Sequence, residues 1–120
     1  MTFAEVLPSR DKKMVTFDEF LKIDLCIGKL VSAEKIPDKQ KVLKVVVDIG
    51  SGLREIVVGA AEFYSPEELI GKIVVVCTNL EPRTIGNVTS NGMLLAAEGE
   101  NGKPLFLTID GEAALGATVR

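Results

Sequence analysis

Residues 42–58 read VLKVVVDIGSGLREIVV, and the fold turns on how this stretch divides. Leu43, Val45, Val47 and Ile49 share one parity, while Lys44 and Asp48 share the other. A period of two marks a strand with one buried face. Gly50-Ser51-Gly52 interrupts the run and Leu53 to Val58 resumes it, which predicts a hairpin. Shortly afterwards Ser65-Pro66-Glu67-Glu68-Leu69 reads as a helix start. Ser suits the N-cap, Pro needs no amide at the first helical position, and the glutamates favour the positive end of the helix dipole. Gly71 is its expected stop.

Working outward, the chain upstream alternates from Ile23: Ile23, Leu25 and Ile27 fall on one face, Asp24, Cys26 and Gly28 on the other. This predicts a first strand running on to Leu30 and Val31. Thr16-Phe17-Asp18-Glu19 ahead of it has capping-box spacing and predicts a short helix through Leu21. Lys35 to Lys41 reads as a charged loop. Downstream, Ile73 to Cys77 reads as a strand buried on both faces, Met93 to Ala97 as another, and Leu105 to Ile109 as the last, after a Gly99–Gly102 turn. Residues 1–15 read as an N-terminal extension with a short amphipathic turn at Phe3 to Leu7, leaving 16–120 as the single domain. Five or six strands with one short helix between the third and fourth outline an all-β OB-fold, a partly open Greek-key barrel.

Composition narrows the chemistry. The chain has 120 residues, 47% of them hydrophobic, too many for an intrinsically disordered protein. With no histidine it lacks the commonest general base and the His-dependent triads and metal sites. Cys26 and Cys77 form no C-x-x-C pair, so a reduced cytoplasmic protein without metal or cofactor is expected. No apolar run approaches the roughly 18 residues of a membrane span. The net charge of −3 and the pI near 5.0 argue at first sight against nucleic acid.

The motifs point the other way. Phe17-Asp18-Glu19-Phe20-Leu21-Lys22-Ile23-Asp24-Leu25 with Gly28-Lys29, Pro37-Asp38, Lys41-Val42-Leu43, Asp48-Ile49-Gly50 and Ser65-Pro66-Glu67-Glu68-Leu69 occur in order. They are followed by Asn79-Leu80-Glu81-Pro82-Arg83 and Ser90-Asn91-Gly92-Met93. Together they closely resemble the tRNA-binding domain family: the C-terminal domain or β subunit of methionyl-tRNA synthetase, EMAP II-like domains, stand-alone structure-specific tRNA-binding proteins and CsaA-like proteins. The resemblance implies a homodimeric, non-catalytic OB-fold that binds folded tRNA and supplies it in trans to a partner such as methionyl-tRNA synthetase. Folded RNA is read largely through shape, phosphates and 2′-hydroxyls, which suits a chain with five Phe and one Tyr better than single-strand stacking would. Two rivals are a CsaA-like chaperone or export factor for unfolded polypeptide and a structural dimerisation module.

In the tRNA reading the site residues are Lys35, Lys41, Lys44, Asn79, Arg83, Ser90 and Met93. Arg offers a bidentate fork to phosphate. The lysines belong to a cluster, Lys29, Lys35, Lys39, Lys41 and Lys44, opposed by Glu34 and Asp38, which would supply counterion release. The alternatives are structural: Asn79 and Ser90 satisfying loop amides, Met93 filling core space, and a solvated lysine loop. Cys26 and Thr84 stand where relatives are expected to carry cations, which lowers the affinity anticipated.

Overall fold

The computed structural model describes residues 13–120. The turn expected at Phe3 to Leu7 lies outside them. The helix α1 (Phe17–Phe20) leads into strand β1 (Leu25–Lys35), followed by β2 (Leu43–Asp48) and β3 (Leu53–Val58). Helix α2 (Pro66–Leu69) precedes β4 (Ile73–Cys77), and short strands follow: β5 (Arg83–Ile85), β6 (Val88–Ser90), β7 (Met93–Leu94), β8 (Ala96–Glu98), β9 (Pro104–Phe106) and β10 (Thr118–Val119). The main sheet runs β3-β2-β1-β4-β7, with β10 on a free stretch of β1. It curls into an all-β, nearly closed OB-like barrel of five strands, with α2 between the third and fourth as the sequence predicts.

The long β1 makes the barrel possible. Its first half, Leu25 to Lys29, pairs with β4, and its second half, Lys29 to Lys35, pairs with β2 across a bulge between Leu30 and Ser32. A bulge bends a strand and increases its twist, so one strand serves two walls. Leu43, Val45, Val47, Ile56 and Val58 meet Leu30, Val74 and Val76 in the core, and Leu69 of α2 plugs one end. Both short helices carry their expected caps. The Thr16 hydroxyl accepts from the Glu19 amide at 3.0 Å while Glu19 accepts from the Thr16 amide at 3.0 Å, and the Ser65 amide donates to Glu68 at 2.8 Å.

Several expectations need correction. The parity of β1 is inverted relative to the sequence reading: Cys26, Gly28 and Leu30 face the barrel interior, and Leu25 and Ile27 face outward with their partners Cys77 and Val75. Ile27 is nonetheless buried, because the C-terminal segment runs beside it and the Ile27 amide donates to the Ala117 carbonyl at 3.0 Å. Gly28 explains the inversion, since a β-carbon there would sit 2.5 Å from Val47 Cγ2. The interior is too crowded at this point for anything larger. Ile23 is exposed and lies before the strand, while Lys35 is its last residue rather than part of a loop.

The strand expected over Met93 to Ala97 is broken into β7 and β8 because the chain leaves the barrel there. Leu95 donates to Val75 and accepts from Leu107, at 3.0 Å each. The last strand is β10 rather than Leu105 to Ile109, which contributes only β9 and an irregular tail.

Candidate nucleic-acid interface

The two edges of the barrel meet at a seam that ladder pairing does not close. Asn91 donates its amide to the Glu55 carbonyl at 2.8 Å, and the Val57 amide donates to the Ser90 hydroxyl at 3.0 Å. Arg54 reaches across the end of the barrel, its Nη1 donating to the Thr78 carbonyl at 2.6 Å and the Asn91 carbonyl at 3.3 Å. A half-buried guanidinium therefore ties β3 to the segments following β4 and β6. Arg54 shares its parity with Ile56 and Val58, and a lone cation on an apolar parity was the available signal for this role.

Outside the seam, Val57, Leu80, Pro82, Arg83, Ile85, Ser90 and Met93 line an open groove of about 470 Å³, and Glu81 is an acidic member of the same lining. One wall is the β5–β6 hairpin, in which Arg83 pairs with Ser90 and Ile85 with Val88. Arg83 is exposed, and Met93 keeps 47% of its surface accessible, so it is a wall of the groove rather than core filling. Lys44 pairs with Val57 across β2 and β3 and so flanks the same face.

Three of the other candidates, Ser90, Asn79 and Lys44, are committed to the protein itself. Ser90 is buried; its hydroxyl, besides accepting from Val57, donates to the Gly92 carbonyl at 3.3 Å. The Asn79 carboxamide accepts from the Asp24 amide at 2.8 Å and donates to the Lys22 carbonyl at 2.5 Å. It thereby clamps the segment between α1 and β1 beside the groove wall that starts at Leu80. Lys44 lies 2.6 Å from Glu34 and 3.8 Å from Glu55. Its hydrogen bond to Glu34 raises the ammonium pKa, so it remains charged but locally neutralised. Lys35 at the end of β1 and Lys41 just before β2 are exposed, and Lys35 lines two further clefts. Cys26 sits inside the barrel, where burial pushes its thiol pKa up against the opposing pull of Arg54. It does not face the groove.

Ser90→Ala tests the seam. It would strand the Val57 amide, and an unsatisfied buried donor costs about 1–3 kcal/mol. Urea unfolding is expected to show that loss at unchanged m-value; a change below about 0.5 kcal/mol would show that the hydroxyl does not hold the barrel shut.

Among the described residues no group of three or more His, Cys, Asp or Glu could hold a metal ion, and no helix is long and apolar enough to cross a membrane. Residues 25–118 match the family described as a putative tRNA binding domain. The methionine–tRNA ligase of Thermotoga maritima is 46% identical over 112 residues, 92% of this chain and 18% of that protein. That of Methanospirillum hungatei is 52% identical over 87 residues, 72% of this chain and 13% of that protein. The chain thus spans less than a fifth of the length of these ligases. A crystal structure of a MetRS related protein from Pyrococcus horikoshii superposes with a TM-score of 0.84 at 38% identity, covering 91% of this chain and all of that one. The chaperone CsaA from Bacillus anthracis superposes at 0.80 with 28% identity, covering 90% of this chain and all of that one.

Proposed function

Because this chain belongs to the tRNA-binding domain family, we propose that it holds folded tRNA in the groove at its barrel seam and performs no chemistry of its own. The observation that carries this reading is Arg83, an exposed guanidinium without an ion-pair partner among the described residues, set on a mainly apolar wall that also carries Glu81. Such a fork suits a backbone phosphate, while Leu80, Pro82 and Met93 offer surface to a ribose or base edge. Of the other candidates, Lys35 and Lys41 add long-range attraction; Asn79 and Ser90 shape the wall, Met93 lines it, and Lys44 contributes a muted charge. The chain acts in the cytoplasm as a stand-alone tRNA-binding protein or a methionyl-tRNA synthetase β subunit, raising the effective concentration of tRNA at its partner.

Residues 16–120 act as the binding unit and residues 1–15 as an extension. A homodimer fits the same reading. Met14, Val15, Phe17, Phe20, Leu21 and Ile23 are all exposed within ten residues, Met14 at 94% and Phe17 at 72%, and an apolar concentration of this kind marks an interaction face. That face also supports the second reading, a CsaA-like binder of unfolded polypeptide, and either function would use a dimer.

Affinity for folded tRNA, for the same tRNA unfolded, and for a denatured protein as competitor separates the two. Tight binding to the folded form alone, falling steeply with salt, is expected for phosphate recognition. Displacement by denatured protein with little salt dependence would overturn the tRNA reading in favour of the chaperone one.

A further inference from the structure

A second concentration of positive charge lies around Tyr64, away from Arg83. Tyr64 is fixed: its hydroxyl donates to the Pro104 carbonyl at 2.9 Å, and its ring packs against Phe106 with centroids 5.7 Å apart. Two lysines from different elements converge on that ring. Lys103 Nζ, just ahead of β9, lies 4.9 Å from the centroid, and Lys72 Nζ, between α2 and β4, lies 5.9 Å from it. Cation–π attraction holds each ammonium in place, but the two repel one another. Among the described residues the ion pairs are those of Lys44, so neither lysine has a carboxylate in contact. Glu68 feels both lysines: Ser65 dominates the lowering of its carboxyl pKa, and the two lysines add smaller contributions. A phosphate held at either ammonium would offset the repulsion.

The Tyr64 ring that seats this pair also lines a cleft leading toward the groove. The cleft that contains Tyr64 shares Lys35 and Ala61 with the cleft beneath the β1–β2 loop. Lys39, which lines the second cleft, lays its stem over the β5–β6 hairpin, with Cε 3.4 Å from where a β-carbon on Gly86 would sit. Lys72 and Lys103 line neither cleft, but the ring beneath them does, and from that ring Lys35 and Lys39 succeed one another toward the hairpin that carries Arg83. Glu62 and Glu67 line the Tyr64 cleft, so the track is interrupted by acid, and the lysine pair is its far terminus.

We propose that Lys72 and Lys103, seated on the Tyr64 ring, form a second phosphate-binding site for the RNA held by the groove, making the interface a track around the barrel rather than a single cleft. This rests on the groove reading above and extends it. The test is binding of the full chain to folded tRNA across a salt series, with the parent, Lys72→Gln/Lys103→Gln, Lys72→Arg/Lys103→Arg and Arg83→Glu side by side. The glutamine pair is expected to bind about five- to tenfold more weakly, and the slope of log affinity against log salt should shrink by about 1 to 2, the counterions released by one or two phosphates. The arginine pair should restore both, because a guanidinium also sits well on an aromatic face.

Equal binding and equal slope for the parent and the glutamine pair, with Arg83→Glu impaired, would overturn the second site and leave the groove standing. If the parent fails to bind tRNA at low salt, the groove reading falls and this inference falls with it.

Discussion

Arg83→Glu is expected to weaken binding to folded tRNA by about 30- to 100-fold at moderate salt, with a shallower salt dependence than the parent. A charge-assisted hydrogen bond contributes about 1.5–3 kcal/mol, tenfold in affinity for each 1.4 kcal/mol, and reversal adds repulsion of the same phosphate. The side chain is exposed on a three-residue strand and forms no ion pair with the groove's own Glu81, so the barrel should be untouched. An unchanged melting temperature is part of the expectation. Arg83→Lys should recover charge without the fork, and therefore only part of the affinity. If Arg83→Glu binds as well as the parent while remaining folded, phosphate recognition by this groove is wrong.

Gly92→Val is expected to damage the fold more than Ser90→Ala does. Gly92 has a φ of +135°, and a β-carbon there would lie 2.7 Å from the Cys77 carbonyl oxygen and 3.3 Å from Ile56 Cδ1. Cys77 is in β4, so the backbone it would strike cannot step aside without breaking its pairing with β7. Such a backbone conformation costs a side-chain-bearing residue about 1–3 kcal/mol and overpacking a further 1–3. A loss of roughly 3–5 kcal/mol is a large share of the stability of an ordinary domain. Thermal unfolding should show a melting point lower by more than about 10 °C. A shift of only a degree or two would mean that the seam relaxes freely and that Gly92 does not brace it.

The elements legible in the sequence are those whose instructions are local. The β2–β3 hairpin follows from alternation about Gly50-Ser51-Gly52, and its register keeps Leu43, Val45, Val47 and Ile49 buried. Both helix starts are written in side chains three residues apart. The interior parity of β1 was not legible, because its first four residues are covered on both sides and one of the interior-facing pair is a glycine. The β5–β6 hairpin carried a readable sign, Gly86-Asn87 between Ile85 and Val88, since Gly followed by Asn suits a two-residue hairpin turn. Three-residue strands give alternation too little length to register.

The candidate site divides along the same line. Residue type pointed to Arg83 and Met93 in one groove, but type alone could not say whether an amide or hydroxyl has capacity left for a ligand. Asn79 spends its carboxamide on Lys22 and Asp24, more than fifty residues away in sequence, and Ser90 spends its hydroxyl on Val57 and Gly92. Lys44 belongs to a lysine cluster in sequence and to a carboxylate pair in space. Distant partners of this kind leave no periodic trace.

The strand that opens the barrel is completed by β10, the last to be made: Leu25 pairs with Val119 and Cys26 with Thr118, while the Gly116 amide donates to the Ile27 carbonyl at 2.7 Å. Contacts this remote in sequence carry the full entropy of closing the loop before they return any stability, and they slow folding. During synthesis β1 can pair early with β2, yet the backbone edge of Leu25 to Ile27 stays unpaired until residues 116–119 are made. Until then Leu25 to Ile27 form an open strand edge, a template for pairing with another chain. Pairing with β10 closes that edge, so the last strand of the domain guards its first.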